Sequence, residues 1–528
     1  MLKKIFSRFI FRIKKYISNR KMVEHFESNN GKFWTNLTVS RELNKSSKTN
    51  QVVLVEISEK NPFELESNMR VAKTIELNSD LVIEALVACT LKVKEPYVKL
   101  VKSYNIARVI ALYRVSLLNL FRLIYSLYVA LSLFRKIKTL DDIEELTYNG
   151  VVIGDLVYDT YIRMQDGKFS PSKDYILLKY ITHAIFNCQL YTVLLGKGNV
   201  KYLVVADKCY INHGVLYRVA IKFGVKVLMP TKELKWLNAG NIKKHFHHPE
   251  LSLDEMKLEL KDVEIEKQVS SYFSKRFSGE IDQIDVLSSY RNKRVYARDE
   301  LMSIMSLVPG KKNVLIMPHA FSDFPHIAEG LYNDYYIWLV ELLKVVKDIN
   351  NVNWLIKPHP TSYIFNEIGV VETLLNDIGA TNVKVVPKDM NTASVKDLAD
   401  VILTVRGTPG LEFATFGIPV VTAGEGCYSG YGIDITTSSK QDYVNTIRNV
   451  TNIPRLDEAQ ISNAKMVFYY LFIKPNAMLT YLMKDIESNM SDYNKVLNNI
   501  LDNNNSELIE DNVLYGITLK MLNQIENN

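Results

Sequence analysis

The sequence predicts an α/β protein of two domains, each built on a parallel sheet with helices between its strands. The chain has 528 residues, more than one hydrophobic core usually organises. In its second half, short β-branched runs alternate with helical stretches. A shorter strand–helix–strand series occupies 201–208, 212–224 and 225–230, which predicts a second parallel sheet earlier in the chain.

Composition places the chain among globular proteins. It is 47% hydrophobic and 23% charged, with a net charge of +7 that is mild for this length. Four scattered cysteines form no CxxC pair, which predicts a reducing compartment and argues against a disulfide framework or a zinc ribbon. We expect no nucleic-acid partner.

Residues 1–21 carry eight Lys or Arg side chains and no acid, and their large apolar residues recur at helical spacing. This pattern predicts a basic amphipathic helix on an anionic membrane surface, within an N-terminal segment covering 1–35. An alternative is a helix docked on the protein's own body. No uninterrupted apolar run precedes a small-residue cleavage site, so the segment does not resemble a signal peptide.

A second apolar segment spans 115–134 and is long enough to cross a bilayer. Arg122 lies inside it, and a central arginine costs several kcal/mol in lipid. We therefore predict a buried helix of a soluble domain.

The first domain is predicted to cover 36–300, on the acceptor side. Its expected strands are 51–57, 201–208 and 225–230, with a strand-like run at 148–163; its expected helices are 68–87, 105–136, 173–194 and 212–224. The charged region 243–298 is interpreted as a peripheral or linking element. Its three histidines, in "KKHFHHPE", are predicted to lie in a solvent loop because no second cluster supplies metal ligands.

The second domain is predicted to cover 301–455 and to be doubly wound. Its expected strands are 313–318, 352–358, 382–387, 400–405 and 418–423, and its expected helices are 332–348, 365–378, 395–399 and 409–416. Helices and a polar, Asn-rich tail are expected over 456–528.

Polar residues follow the strands of this second domain. The segments are "PHAFSDFPH", "KPHPTS", "RGTPGLE" and "GEGCYSGYG". Because ligands of open parallel sheets bind beyond the carboxyl ends of the strands, we expect these segments to converge on one site.

The segment "RGTPGLE" predicts an anion site. Gly407 permits close backbone approach, Thr408 is expected to cap a helix that Pro409 opens, and helix N–H groups attract anions. Glu412 is expected about one turn inside the helix, where it can accept from ribose hydroxyls. An ordinary glycine-containing turn remains the alternative.

The segment "IKPHP" predicts a rigid basic corner. Pro358 and Pro360 restrict the backbone of His359, and Lys357 adds positive charge, so the histidine can donate to a phosphate oxygen without reorganisation. The second half has no Walker A loop, GxGxxG, GxSxG, HExxH or acidic metal pair, which disfavours ATP, dinucleotide and metal readings.

Together, "NWLIKPHP" and "TVRGTPGLEFATFGIPVV" resemble bacterial capsule and surface-polysaccharide synthesis proteins, with "MPHAFSDFPH" a further similar segment. Many of these are glycosyltransferases of the GT-B fold with an HP motif, including CMP-Kdo-dependent and sialyl-type enzymes. The resemblance covers about 313–432. It implies two Rossmann-type domains facing a cleft.

The resemblance also implies residue roles. His359 and Pro360 match the donor-binding HP motif, and Gly407, Thr408 and Glu412 match a second nucleotide-contacting segment; with them, Lys357 and Arg406 complete the expected donor site. Asp323 lies, by position, where related enzymes place a catalytic acid, and His359 is expected to assist the chemistry. The acidic motif of sialyltransferases is missing from the first half, so Asp155 and Asp159 are alternative bases.

The implied activity is transfer of a sugar from a nucleotide-activated donor, with CMP favoured, to a glycan or lipid-linked acceptor. No cofactor or metal is expected, and the protein is expected at the inner face of the cytoplasmic membrane. Two alternatives stay open: a CDP-polyol phosphotransferase of the teichoic-acid type, and a non-catalytic scaffold for capsule assembly.

Overall fold

A computed structural model describes residues 50–57, 62–87, 101–102, 104, 106, 108–113, 116–231, 233–281, 284–474 and 513–526. The basic helix predicted for 1–21 and most of the predicted polar tail lie outside these residues.

The first half forms a six-stranded sheet. Its strands and a separate two-stranded hairpin are β1 Val52–Glu56, β2 Val82–Val87, β3 Arg108–Ala111, β4 Thr147–Tyr148, β5 Val151–Val152, β6 Val200–Val204, β7 Lys226–Pro230 and β8 Leu234–Leu237. The sheet order is β3-β2-β1-β6-β7-β8, and every pair is parallel except β7 with β8. Strand order reverses between β1 and β6, as in a Rossmann sheet.

The second half repeats this order in an all-parallel sheet. Its strands are β9 Asn313–Ile316, β10 Asn353–Ile356, β11 Val383–Val385, β12 Val401–Thr404, β13 Val420–Thr422 and β14 Asp434–Thr436, in the order β11-β10-β9-β12-β13-β14. Strands β9, β10, β12 and β13 are buried along their whole length, because helices cover both faces. The two sheets confirm the predicted α/β class and its paired Rossmann-type sheets.

Helices surround the two sheets. In chain order they are α1 Pro62–Leu77, α2 Leu117–Lys136, α3 Leu140–Glu144, α4 Gly154–Met164, α5 Tyr175–Leu195, α6 Val215–Lys222, α7 Leu253–Glu259, α8 Ile265–Ser278, α9 Ile284–Ser289, α10 Arg298–Ile304, α11 Tyr335–Val346, α12 Val370–Ile378, α13 Val395–Leu398, α14 Thr408–Ala414, α15 Lys440–Arg448, α16 Glu458–Phe468 and α17 Val513–Glu526. Helix α17 packs on α1, so the end of the described chain returns to the first domain.

Two predictions for the first half are wrong. The helix expected over 68–87 is the end of α1 followed by strand β2, and the helix expected over 105–136 contains strand β3 before α2. The run "VIEALV" of β2 is almost wholly buried, on both faces, because it lies between β1 and β3. Apart from Glu84 it is apolar, so it has no clear periodicity to distinguish it from a buried helix.

Helix α2 is not buried as predicted. Only Ser126 and Ala130 are fully buried along it. By length and composition it is the one helix of the described residues that could cross a membrane, with 11% of its most apolar window buried.

Helix α4 joins the two halves. Its Asp159 carboxylate lies 2.6 Å from Nδ1 of His326, and its Tyr158 hydroxyl donates to Asp334 at the start of α11. The Tyr158 ring also meets the His326 ring edge-on at 4.8 Å. These buried contacts fix the loop after β9 against the first domain.

We predict that the buried Asp155–Arg218 pair stabilises the first domain only while both charges are present. The guanidinium bonds both carboxylate oxygens at 2.6 Å and also the Val152 carbonyl. Asp155→Ala should lower the free energy of unfolding by about 3–5 kcal/mol, because it strands a buried cation. Adding Arg218→Met should restore part of that loss. Urea unfolding curves of both variants measure it, and a single variant as stable as the parent would contradict the prediction.

Candidate active site

A cleft of about 500 Å³ opens at the carboxyl edge of the second sheet, where strand order reverses between β9 and β12. The loops after β9, β10 and β12 line it together with residues from the charged region 243–298. The residues that line the cleft include His245, Arg276, Tyr290, His319, Asp323, Tyr335, Lys357, His359, Pro360, Arg406, Gly407, Thr408 and Glu412. Three of the four predicted strand-end segments therefore contribute polar residues to one site; the fourth, after β13, contributes Cys427.

Lys357 supplies a buried positive charge to the cleft. It follows β10 directly, and its side chain is 7% exposed. Burial and the neighbouring Lys293 lower the pKa of its ammonium to about 8. Within the described part of the chain, no carboxylate or carbonyl pairs with this ammonium. A buried unpaired cation is costly, so the site is complementary to an anion.

His359 is held with a defined tautomer. Its Nδ1 lies 2.8 Å from the Thr361 hydroxyl and 3.4 Å from the Thr361 backbone nitrogen. A backbone N–H can only donate, so Nδ1 is an acceptor and the ring proton lies on Nε2. The prolines on either side fix the backbone, as predicted. In this tautomer Nε2–H is the hydrogen-bond donor of the ring, and His359 lines the cleft.

His319 is a cleft residue that the predicted site did not include. Its Nε2 accepts from the backbone N–H of Arg406 at 3.2 Å, and its ring stacks on Tyr335 at 4.2 Å. Burial, with His359 and Arg406, lowers its pKa well below the usual range. A neutral ring whose Nε2 accepts carries its proton on Nδ1. His319 thus ties the loop after β9 to the loop after β12.

Arg406, predicted to bind the donor, lines the cleft and also positions the loops around it. Its guanidinium donates to the carbonyls of Ala328 at 2.8 Å and Glu329 at 3.0 Å. It lies between Gly330 and Gly424, where a Cβ on either glycine would come within 2.7 Å of Nη2. The small residues are required by this close approach, and the arginine holds the loops together.

The start of α14 differs from prediction. Gly407 is the N-cap, Thr408 is the first helical residue and is exposed, and Pro409 is second, so Thr408 does not cap the helix. A Cβ at Gly407 would lie 3.0 Å from the Thr404 hydroxyl, which explains the glycine. The helix has only seven residues, so its dipole adds little to the site.

Glu412 holds a cation instead of being open to a ribose. It is buried and accepts from Arg276 at 3.3 and 3.4 Å and from the Tyr290 hydroxyl. Arg276, at the end of α8, lines the cleft and was missed by sequence reasoning. Its partner lies 136 residues away, so no local pattern reveals the pair.

Asp323 is the acid of the cleft. Its side chain is 39% exposed, and its carboxylate lies 3.7 Å from Arg163 of α4. Burial raises its pKa to about 6, opposed by Arg163 and assisted by the carboxylates of Asp159 and Asp207. An acid with this pKa is ionised at neutral pH and basic enough to accept a proton.

The alternative bases Asp155 and Asp159 do not line the cleft. Asp155 is committed to Arg218; burial would raise its pKa, but the guanidinium outweighs burial and lowers it. Asp159 is committed to His326; burial lowers the pKa of that histidine, but Asp159 raises it to about 10. Their proposed role as bases is corrected on this ground.

Asp207 is an acid of the first domain whose charge helps to raise the pKa of Asp323, and sequence reasoning did not single it out. It lies in the loop after β6, and its carboxylate accepts from the N–H groups of Lys208 and Cys209. Extending the strand-end rule to the first sheet would have identified it, because "VVADK" places it directly beyond a buried strand.

The histidine loop is not the solvent loop predicted. His245 and His247 line the cleft, and burial lowers the pKa of His245 well below its usual range. Among the described residues, no cluster of three or more His, Cys, Asp or Glu side chains could hold a metal ion.

Residues 240–471 match the family of capsule polysaccharide biosynthesis proteins. Curated proteins gave no match. Similar solved structures include a beta Kdo 2,4 transferase from Thermosulfurimonas dismutans (12% identity, 51% of this chain and 79% of that chain, TM-score 0.30). A UDP-GlcNAc 2-epimerase from Neisseria meningitidis is 11% identical over 80% of this chain and 100% of its own, with TM-score 0.24.

A third similar structure is Anabaena HepE in complex with UDP and glucose. It is 10% identical over 83% of this chain and 99% of that chain, with TM-score 0.27. The family match spans nearly all residues that line the cleft, from His245 to Leu471. The match over 240–471 supports the resemblance to capsule polysaccharide biosynthesis proteins that the segments "IKPHP" and "RGTPGLE" carry.

Proposed function

We propose that this protein is a glycosyltransferase of surface-polysaccharide synthesis and that it binds a nucleotide-activated sugar in the cleft. The observation that carries this is the buried ammonium of Lys357, which pairs with no acid among the described residues and lines the same cleft as His359, at the reversal point of a parallel sheet. A phosphate there would pair a charge that the fold otherwise leaves uncompensated.

In the proposed reaction, the bond between the anomeric carbon and the phosphate oxygen breaks. Negative charge then grows on the nucleotide phosphate, and Lys357, His359 and Arg276 are the cations and donors that line the cleft to stabilise it. The residues are fixed beforehand by Thr361 and Glu412, so little reorganisation is needed. With these charges in place we propose that no metal is required.

Asp323 is the proposed base. It would accept the proton of the acceptor hydroxyl as that oxygen attacks the anomeric carbon. Asp323 lies 3.7 Å from Arg163 of the first domain. We propose that the first domain presents a glycan or lipid-linked acceptor to it. His319 would orient the loops without exchanging a proton, because its ring is neutral and both its orientation and tautomer are set by Arg406 and Tyr335.

CMP is the proposed nucleotide, and this preference rests on the resemblance to CMP-sugar enzymes. Measurements of nucleotide binding test this choice of nucleotide directly.

A nucleotide panel tests the donor class. CMP or a CMP-sugar should raise the melting temperature more than UDP, GDP or CDP species do. A ligand present at a hundredfold excess over its Kd adds about 2.7 kcal/mol to the free energy of unfolding. Lys357→Met should abolish this shift while leaving the ligand-free protein as stable or more stable, because it removes a buried unpaired charge. Stabilisation only by CDP-alcohols would favour the phosphotransferase, and none by any nucleotide would favour the scaffold.

His359→Ala should reduce transfer by about 100-fold or more, the scale of losing one preorganised donor. Incorporation of labelled sugar into envelope glycans and lipids measures it. Tyr363→Phe, in the same loop and exposed, is the matched control and should retain activity. Full transfer by His359→Ala, with an unchanged melting temperature, would reject the role.

The pH dependence of kcat/KM should be bell-shaped. The acidic limb should lie near pH 6, where protonation of Asp323 removes the base, and the basic limb near pH 8, where Lys357 loses its charge. Lys357→Arg should move the basic limb upward, because a guanidinium stays charged. A basic limb unmoved by this substitution would assign it to another group.

A further inference from the structure

The described residues include one large apolar surface, and it lies on helix α2. Nine large apolar side chains in its first four turns are between 43% and 77% exposed: Leu117, Leu118, Leu120, Phe121, Leu123, Ile124, Tyr125, Leu127 and Tyr128. Contiguous apolar patches of this kind on soluble proteins mark protein or membrane interaction sites.

The opposite side of α2 is held on α5. Ser126, which is buried, accepts a hydrogen bond from Gln189 at 2.9 Å. Arg122, the charged residue within these four turns, is half-buried and bonds Asn119 at 2.8 Å. The Lys173 ammonium bonds the carbonyls of Arg135 and Ile137 where the helix ends. The charged and amide side chains of these turns therefore lie on the side that meets the protein, and the exposed side carries apolar side chains with the hydroxyls of Tyr125 and Tyr128.

The width of the apolar surface identifies what covers it. At 3.6 residues per turn, the nine exposed side chains spread over about 220° of the helix circumference. A partner helix packs against a stripe about 100° wide, so a second copy of this chain would leave half of the surface in water. A surface apolar over most of its circumference matches a surrounding hydrocarbon phase.

We propose that the first four turns of α2 lie in the outer hydrocarbon layer of a lipid bilayer. The helix does not cross the bilayer, because α5 packs along its other side. It lies in the plane of the interface, where amphipathic helices bury their apolar side about 5–10 Å deep. Arg135 and Lys136, both exposed, close the helix at the level where basic side chains meet lipid phosphates.

This attachment differs from the one predicted for residues 1–21. A basic helix depends on anionic lipid and is weakened by salt, whereas the apolar surface of α2 needs neither charge nor low salt. It is also independent of the proposed transfer reaction, since a protein without transferase activity would still bind through α2.

Vesicle flotation tests the proposal. The full chain is mixed with zwitterionic phosphatidylcholine vesicles in about 0.5 M salt, where the Debye length is about 4 Å and the electrostatic attraction of residues 1–21 is screened. The test variant carries Leu117→Ser, Phe121→Ser, Ile124→Asn and Tyr128→Ser, at the centre of the apolar surface. The matched control carries four polar substitutions at other exposed apolar residues, 47% to 72% exposed: Leu258→Asn, Val295→Asn, Ile304→Asn and Val308→Asn.

The parent and the control should float with the vesicles, and binding of the test variant should fall at least tenfold. Equal flotation of the test variant would overturn the proposal. So would light scattering that shows a dimer for the parent and a monomer for the test variant, because α2 would then bind a second copy.

A second measurement protects against a variant that fails to fold. Phe121→Trp should be quenched by brominated phosphatidylcholine, and Leu258→Trp should not. Both variants keep the α2 surface apolar. Absence of quenching at position 121 would equally overturn the proposal.

Discussion

The reversal of strand order between β9 and β12 is the constraint on which the site depends. Neighbouring loops diverge at such a point, which leaves a crevice that the helices do not fill. A hydrogen bond from the Arg406 N–H to His319 connects the two loops on either side of this crevice. The guanidinium of Arg406 then fastens the loop around Gly330. Lys357 and His359 are among the polar residues that line the crevice beside these contacts.

Charge in the cleft is distributed unevenly. Among the described residues, no carboxylate forms a salt bridge with Lys357, whereas Arg276 is neutralised by Glu412. Loss of Glu412 would remove the carboxylate that neutralises the buried Arg276, and would raise the positive potential while loosening the side chain. The pairing therefore lowers the positive potential of the cleft but fixes the position of the Arg276 guanidinium. The site gains net charge from one lysine and directional hydrogen bonds from Arg276 and His359, a combination suited to a phosphate whose charge grows during reaction.

Sequence reasoning reached the residues whose chemistry is local. Lys357 and His359 follow a strand directly, so a rule about strand ends was sufficient to place them. Arg276 and Glu412 are 136 residues apart, and only the fold brings them together. Thr408 was misplaced by one helical position because glycine caps helices without a side-chain signal. Helix α2 was predicted to be buried because Arg122 argued against lipid, but Arg122 bonds Asn119 and most of the helix is exposed. Strand β2 was predicted to be part of a helix because a short buried apolar run fits both structures.

A continuous series of contacts connects the exposed surface of α2 to the cleft. Ser126 of α2 bonds Gln189 of α5, and Asp174, which caps α5, accepts from Tyr161 of α4 at 2.7 Å.

Helix α4 in turn binds the second domain, through Asp159 to His326 and Tyr158 to Asp334. His326 lies three residues beyond Asp323, so the proposed base is carried by a loop that this series anchors. With α2 in the interface, the loop would be held at a fixed height above the lipid. A lipid-linked acceptor could then reach Asp323 by its own length, without movement of one domain against the other. This requirement selects acceptors by the distance between lipid and reacting hydroxyl, a criterion that the chemistry of the cleft alone does not impose.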